Sequence, residues 1–199
     1  MNNISETFET FETFDLSRSE KELLINIAKQ SIEDRLKKRG DEYLYSDELK
    51  GFLTGNLKEN AGVFVTLKTK GVQLRGCIGN FISLIPLYVN VYKMAREAAF
   101  ADPRFRPLAN SELGEIKIEI SVLSPLKKIS GLEEIEIGKH GIHLIKGPYH
   151  GVLLPQVALE HNMDRKGFLE AVSIKAGLPP DAYKHNADIY IFSALIFGG

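Results

Sequence analysis

The chain has 199 residues, 44% of them apolar, with 25 lysines and arginines against 26 aspartates and glutamates. That size suits one ordinary domain or two small lobes sharing a core, and a net charge of −1 removes the whole-protein field that draws a domain to nucleic acid or to an acidic membrane. A single cysteine closes no internal disulfide, no run reaches the ~20 apolar residues of a membrane helix, and the N-terminus lacks the basic and apolar regions of an export signal, so a reducing, cytoplasmic setting is expected.

The chain opens on a triplet used three times: Glu6-Thr7-Phe8, Glu9-Thr10-Phe11, Glu12-Thr13-Phe14. It has neither helical nor strand period, so residues 1–15 are expected to be a low-complexity tail outside the fold, with its phenylalanines on one edge wherever the segment coils. Folding is expected from Leu16 onward, over residues 16–199. Ser19 with Glu22 makes a capping box, Leu24, Ile27, Ala28, Ile32 and Leu36 recur at helical spacing, and Lys37-Lys38-Arg39 before Gly40 suits a helix end.

After a polar stretch to Asn60, Val63, Val65 and Leu67 alternate with Phe64, Thr66 and Lys68, and Lys70-Gly71 supplies a turn into a strand over Val72 to Ile78. A two-residue loop there sets Leu67 opposite Leu74, Val63 opposite Ile78, Thr66 opposite Arg75 and Phe64 opposite Cys77. The first two pairs make a core face. The other face, with Phe64, Thr66, Gln73, Arg75 and Cys77, is mixed, as the wall of a covered cleft or an interface would be.

Pro86 opens a helix running to about Phe100, which the prolines of Asp102-Pro103-Arg104-Phe105-Arg106-Pro107 terminate. Two arginines and an aspartate on that rigid loop either hold an anion or pair internally. Ile116, Ile118, Ile120 and Val122 form an alternating strand, and Gly141 to Lys146 with His150 to Leu154 read as a second hairpin around Gly147-Pro148. A helix starts after Asp164 and stops at Lys175-Ala176-Gly177-Leu178, with Gly177 in the left-handed cap position. One last strand, Ile189 to Phe197, completes the chain. Strands joined by tight hairpins and interleaved with helices predict an antiparallel α+β fold.

The chemistry is concentrated in Leu74-Arg75-Gly76-Cys77-Ile78-Gly79. Strand alternation puts Arg75 and Cys77 on one face, a fixed positive charge favours the nucleophilic thiolate, and Gly76 and Gly79 let a ligand or another backbone approach closely. A half-buried strand in which Cys77 is a small hydrophobe is the competing reading. The motif has no Walker lysine and no strand-to-helix glycine triplet, so no nucleotide cofactor is indicated. His140, His143, His150, His161 and His185 show no zinc-site spacing, although His143 and His150 flank the second hairpin and are placed to face each other.

Leu74 to Gly79, then Asp102-Pro103-Arg104-Phe105, Leu154-Pro155-Gln156-Val157 and Lys175-Ala176-Gly177-Leu178 resemble, in order and spacing, the AMMECR family. The resemblance covers the chain from about Leu16 and leaves out the Glu-Thr-Phe tail. It implies two unequal lobes of antiparallel strands and helices with a cleft between them toward which the cysteine motif turns. It implies no established reaction. Family members encoded beside a Memo-type protein and a radical S-adenosylmethionine enzyme suggest a shared modification pathway, and no cofactor of this chain's own.

Carried over, the positions to watch are Arg75, Gly76, Cys77, Gly79, Asp102, Arg104 and Gln156. The tryptophan common near the family's C-terminal helices is absent here. Two readings follow. In an enzyme or enzyme component, Cys77 is nucleophile or carrier, Arg75 activates it, Asp102 is acid/base or orienting group, and Arg104 holds an anionic substrate. In a binding module the same surface recognises a peptide or small anion through Arg75 and Arg104.

Overall fold

The computed structural model describes residues 15–199, and the Glu-Thr-Phe repeat lies outside them. Backbone packing divides these residues into a host unit, Asp15–Pro125 with Ala194–Gly199, and an inserted unit, Leu126–Ser193. The host begins with helices α1 (Arg18–Leu36), α2 (Asp47–Phe52) and α3 (Gly55–Lys58), then strands β1 (Val63–Thr69) and β2 (Leu74–Asn80), helix α4 (Leu87–Phe100) and strand β3 (Ile116–Leu123). The insert supplies β4 (Lys127–Lys128), β5 (Gly141–Lys146), β6 (Tyr149–Leu153), α5 (Pro155–Glu160), α6 (Arg165–Lys175) and β7 (Asp188–Phe192), after which β8 (Ala194–Gly198) returns to the host. Both sheets are antiparallel, ordered β2-β1-β3-β8 and β4-β7-β5-β6, so the fold is α+β. Among the described residues no helix is long and apolar enough to cross a membrane.

The host core follows the alternation of its strands. Val63, Val65 and Leu67 of β1 and Ile118, Ile120 and Val122 of β3 are buried, and α4 lays Leu87, Val91, Ala95 and Ala98 on them while α1 adds Leu24, Ile27, Ala28 and Ile32. Each such large side chain contributes about 1.5–3 kcal/mol. Two helices of this core are joined through buried polar groups: Ser31 Oγ donates to Tyr92 O, and Tyr92 OH donates to Asp34 at 3.0 Å.

Local chemistry moves several expected boundaries. The capping box of α1 is Ser17 with Glu20, two residues ahead of Ser19 and Glu22: Ser17 Oγ accepts from Glu20 N, and Glu20 Oε2 accepts from Ser17 N at 2.7 Å. Glu20 also accepts from the Thr54 hydroxyl, so the buried box ties α1 to the α2–α3 connection. At the other end Lys38, with φ 54°, takes the left-handed position expected of Gly40. Arg39 N donates to Asp34 O at 2.7 Å and Lys38 N to Arg35 O at 3.2 Å, closing the last turn. The polar stretch before Asn60 is also structured, holding α2, α3 and a 3-10 turn over Glu42–Tyr45.

The first hairpin has a three-residue loop, Lys70-Gly71-Val72, closed by Thr69 N to Gln73 O at 2.9 Å, with Val72 at φ 64°. Pairing therefore slips by two residues from the expected register, with Leu67 opposite Gly76 and Thr66 opposite Cys77. An even slip preserves the faces. The ladder then jumps from Leu67↔Gly76 to Lys68↔Leu74, which leaves Arg75 as an unpaired bulge residue.

In the insert, Ile142, Leu144, Ile189 and Ile191 meet Phe168, Leu169 and Val172 of α6 in a separate core. Asp164 caps α6 by accepting from Gly167 N at 2.7 Å, and Gly177, at φ 78°, ends it with Leu178 N donating to Ser173 O at 3.0 Å, as the sequence indicates. His143 and His150 are diagonal rather than opposed: His143 pairs with Val152 and Ile145 with His150, and the two rings stand perpendicular with centroids 6.4 Å apart. The expected last strand is two strands. β7 pairs with β5 and β4 in the insert, Ser193 breaks the run, and β8 pairs with β3 in the host. Continuous apolar character from Ile189 to Phe197 fits burial in either sheet, so it carries no sign of the break.

Candidate functional site at the cysteine strand

The site residues of β2 are fixed by the loop after α4. Asp102 is buried, with its side chain 2% exposed. One oxygen accepts from Arg104 N at 3.1 Å and Arg104 Nε at 2.9 Å, and the other accepts from Cys77 N at 2.8 Å and Arg104 Nη2 at 2.7 Å. The arrangement is an Asx-type turn with Pro103 at its centre, and Phe105 N donates to Asp102 O at 3.1 Å. Asp102 thus reaches across to the β2 backbone at the cysteine, where strand pairing with β1 leaves the Cys77 N–H for it.

Electrostatics follow from that geometry. The Arg104 guanidinium, first of all, and then the Cys77 and Arg104 backbone N–H groups hold the Asp102 carboxyl well below the usual range, against the effect of its burial. Asp102 in turn raises Arg104 above its ordinary value. With both oxygens occupied by donors, Asp102 has the character of an orienting group and little capacity to pass protons. Arg104 is 54% exposed, and its Nη2 also donates to Cys77 O at 3.2 Å, so the guanidinium is clamped over the cysteine's peptide with Nη1 making no hydrogen bond among the described residues.

Arg75 behaves differently from the alternation argument. As the bulge residue it turns its guanidinium to Glu112 of the 3-10 turn Asn110–Glu115, with Nε to Oε1 at 2.8 Å and Nη2 to Oε2 at 3.1 Å, and it donates to Arg106 O at 3.1 Å. Arg75 is 9% exposed and Glu112 25%, and the pair holds Glu112 down at about 2, with Ala109 N as the next cause. Both guanidiniums lie over the Phe105 ring, Arg75 at 5.9 Å and Arg104 at 5.6 Å from its centroid. Of the two arginines, Arg104 is therefore the one hydrogen-bonded to the Cys77 backbone.

Cys77 is half-buried, and the Thr66 hydroxyl directly across the ladder donates to its sulfur at 3.2 Å. The two glycines are packing positions: a Cβ on Gly76 would collide with Ala98 O, and one on Gly79 would enter the Phe64 ring and Val63 O. Gln156 lies on α5 in the insert, with its Oε1 buried and unpartnered among the described residues. The structure brings Gly76, Cys77, Asp102 and Arg104 together and adds Thr66 and Glu112. Thr66 was legible on the mixed face of β1. Glu112 is 37 residues from Arg75, in a polar segment whose pattern carries no signal of the contact.

Comparison with known proteins places the chain in a family. Protein NEQ441 of Nanoarchaeum equitans is 42% identical over 181 residues, 87% of this chain and 97% of its own. Protein MK0488 of Methanopyrus kandleri is 46% identical over 153 residues, 72% of this chain and 74% of its own. The crystal structure of the uncharacterised protein PH0010 from Pyrococcus horikoshii matches with a TM-score of 0.78 at 36% identity, covering 89% of this chain and 90% of that one. The family model AMMECR1 matches residues 25–197, and the chain belongs to the AMMECR1 family.

Proposed function

We propose that the host unit is a binding module for a small anion or a carboxylate-bearing peptide, anchored by Arg104 beside Cys77. One observation carries this reading: Asp102 spends both oxygens on orienting Arg104 and the Cys77 N–H, which yields a fixed, half-exposed guanidinium. A planar fork held in place loses little entropy on meeting a carboxylate or phosphate. The test is a titration of isotope-labelled protein with sodium citrate and, separately, inorganic phosphate up to about 10 mM, beyond the weak end of specific affinity. Saturable shifts at Cys77, Arg104 and Phe105 that Arg104→Met abolishes support the module. No shift at these residues with either anion rejects it.

The hydrogen bond from Thr66 to the Cys77 sulfur favours a second reading, because a donor aimed at sulfur stabilises a thiolate. Here the protein is an enzyme component whose Cys77 is nucleophile or carrier, acting with Memo-type and radical S-adenosylmethionine partners. All five histidines fall in the insert, so this reading takes no imidazole base from the host unit. Intact-mass measurement after incubation with metabolites from the same cell separates the two: an adduct on Cys77 supports the component, and an unchanged mass supports the module.

A further inference from the structure

We propose that the edge of β2 beyond Cys77 captures the C-terminus of an extended peptide, with the last carboxylate on Arg104; this narrows the anion reading given above and rests on it. β2 is an edge strand of the host sheet. Antiparallel partners alternate between pairs that exchange both backbone hydrogen bonds and pairs that turn theirs away from each other. Cys77, opposite Thr66, is of the second kind, because its N–H goes to Asp102 and its C=O accepts from Arg104. Gly79, opposite Phe64 and two residues further on, is of the same kind. Its N–H and C=O meet no turn or side-chain partner among the described residues, so this edge offers one complete donor and acceptor pair to an added strand.

The two positions together specify a chain end. An antiparallel strand laid on the edge exchanges both hydrogen bonds with Gly79, and its next residue lies opposite Ile78. No further residue can follow. The place opposite Cys77 is filled by the Asp102 carboxylate, 2.8 Å from the Cys77 N–H nitrogen, and by Arg104 Nη2, 3.2 Å from the Cys77 carbonyl oxygen. The residue opposite Ile78 is therefore the last, and its carboxylate arrives level with the Arg104 guanidinium, 54% exposed and with Nη1 still to donate. A free carboxylate gains a charge-assisted hydrogen bond there, which a continuing chain cannot offer.

The faces of β2 set what that last residue carries. Gly76 meets Ala98 O and Asn80 Nδ2 donates to Asn90 Oδ1 at 3.0 Å, so both face α4, and Ile78 between them does likewise. Met94 of the same helix places its sulfur 3.9 Å from Asn80 Nδ2. Ile78 and Met94 are each half-buried, and an apolar side chain on the last residue would cover both. The residue before it, opposite Gly79, falls on the other face, where the Phe64 ring stands. The ligand class is a peptide with a free carboxylate on an apolar terminal residue.

Three ligands that leave the protein unaltered test this. They are an acetylated tetrapeptide, alanine-valine-alanine-leucine, with a free C-terminus, the same peptide as its C-terminal amide, and the free acid N-methylated on its third residue. Titrated to about 10 mM against isotope-labelled full-length protein, the free acid should shift Ile78, Gly79 and Arg104 saturably. It should bind at least about tenfold tighter than the amide, which lacks the charge for Arg104, and at least about fivefold tighter than the N-methylated acid, which lacks the donor to Gly79 O. No saturable shift at Gly79, an amide that binds as well as the acid, or N-methylation without effect overturns the proposal. Citrate or phosphate shifts at Arg104 that persist in that event leave the anion reading standing and remove only the peptide terminus, whereas their absence removes both.

Discussion

Gly76 faces the carbonyl oxygen of Ala98 so closely that no side chain fits between β2 and α4. Ala98 lies near the end of the helix whose next turn carries Asp102, so this contact sets how far the loop stands from Cys77. Gly76→Val should cost about 3 kcal/mol or more, because the backbone of α4 must move. Arg75→Lys, which keeps charge while losing the bidentate fork, should cost about 1 kcal/mol. Urea melts of the two variants check the order, and equal small losses would remove the close approach as the reason for glycine here.

Acid should unfold the host unit through two carboxylates. Folded Asp102 is held well below its ordinary value near 3.9, and Glu112 sits at about 2 against an ordinary value near 4.3. Both bind protons less readily when folded, so the stability they add is complete above about pH 5 and drains as the pH falls toward about 2. Glu112→Gln should lower stability at pH 7 by about 1–2 kcal/mol, allowing for its partial exposure, and flatten the acid limb. Melting temperature measured from pH 7 to 2 checks both features.

Iodoacetamide labelling of folded protein at one neutral pH distinguishes the two arginines. Since Arg75 is committed to Glu112 and Arg104 is clamped on the Cys77 peptide, Arg75→Met should leave the rate within about twofold while Arg104→Met slows it about threefold or more. The reverse order would return Arg75 to the role that strand alternation assigns it. Labelling only after denaturation would make Cys77 a packing residue.

Val72 holds a left-handed backbone at φ 64° with its β-branched side chain 67% exposed. Val72→Gly should stabilise the protein by about 1 kcal/mol, since strain is relieved and little apolar contact is lost. Thermal melts check this, and a loss of stability would mean the side chain is packed in solution.

The same turn shows why some of the fold was legible and some was not. Face alternation in β1 and β3, the Asp164 cap and the Gly177 stop are properties of neighbouring residues, and they stand as the sequence indicates. The register of the first hairpin depended on one residue, because Val72 accepts a conformation that composition assigns to glycine. At the site, the pairing of Asp102 with Arg104 was one of two alternatives that the Asp-Pro-Arg spacing offered. The turning of Arg75 to Glu112 required a bulge and a contact between distant segments, and no local pattern encodes either.

The break at Ser193 has a consequence for how the chain is made. Leu123 of β3 lies directly opposite Ala194 of β8, so the inserted unit leaves and re-enters its host at adjoining points. During synthesis the host sheet waits, one strand short, until the entire insert has emerged, and β3 meanwhile presents an unpaired edge. An insert that folds promptly brings the two ends of that gap together and shortens the wait, whereas one slowed by mutation leaves the edge open to other chains. Lesions confined to the core around Phe168 would then appear first as aggregation of nascent protein, with the cysteine strand itself untouched.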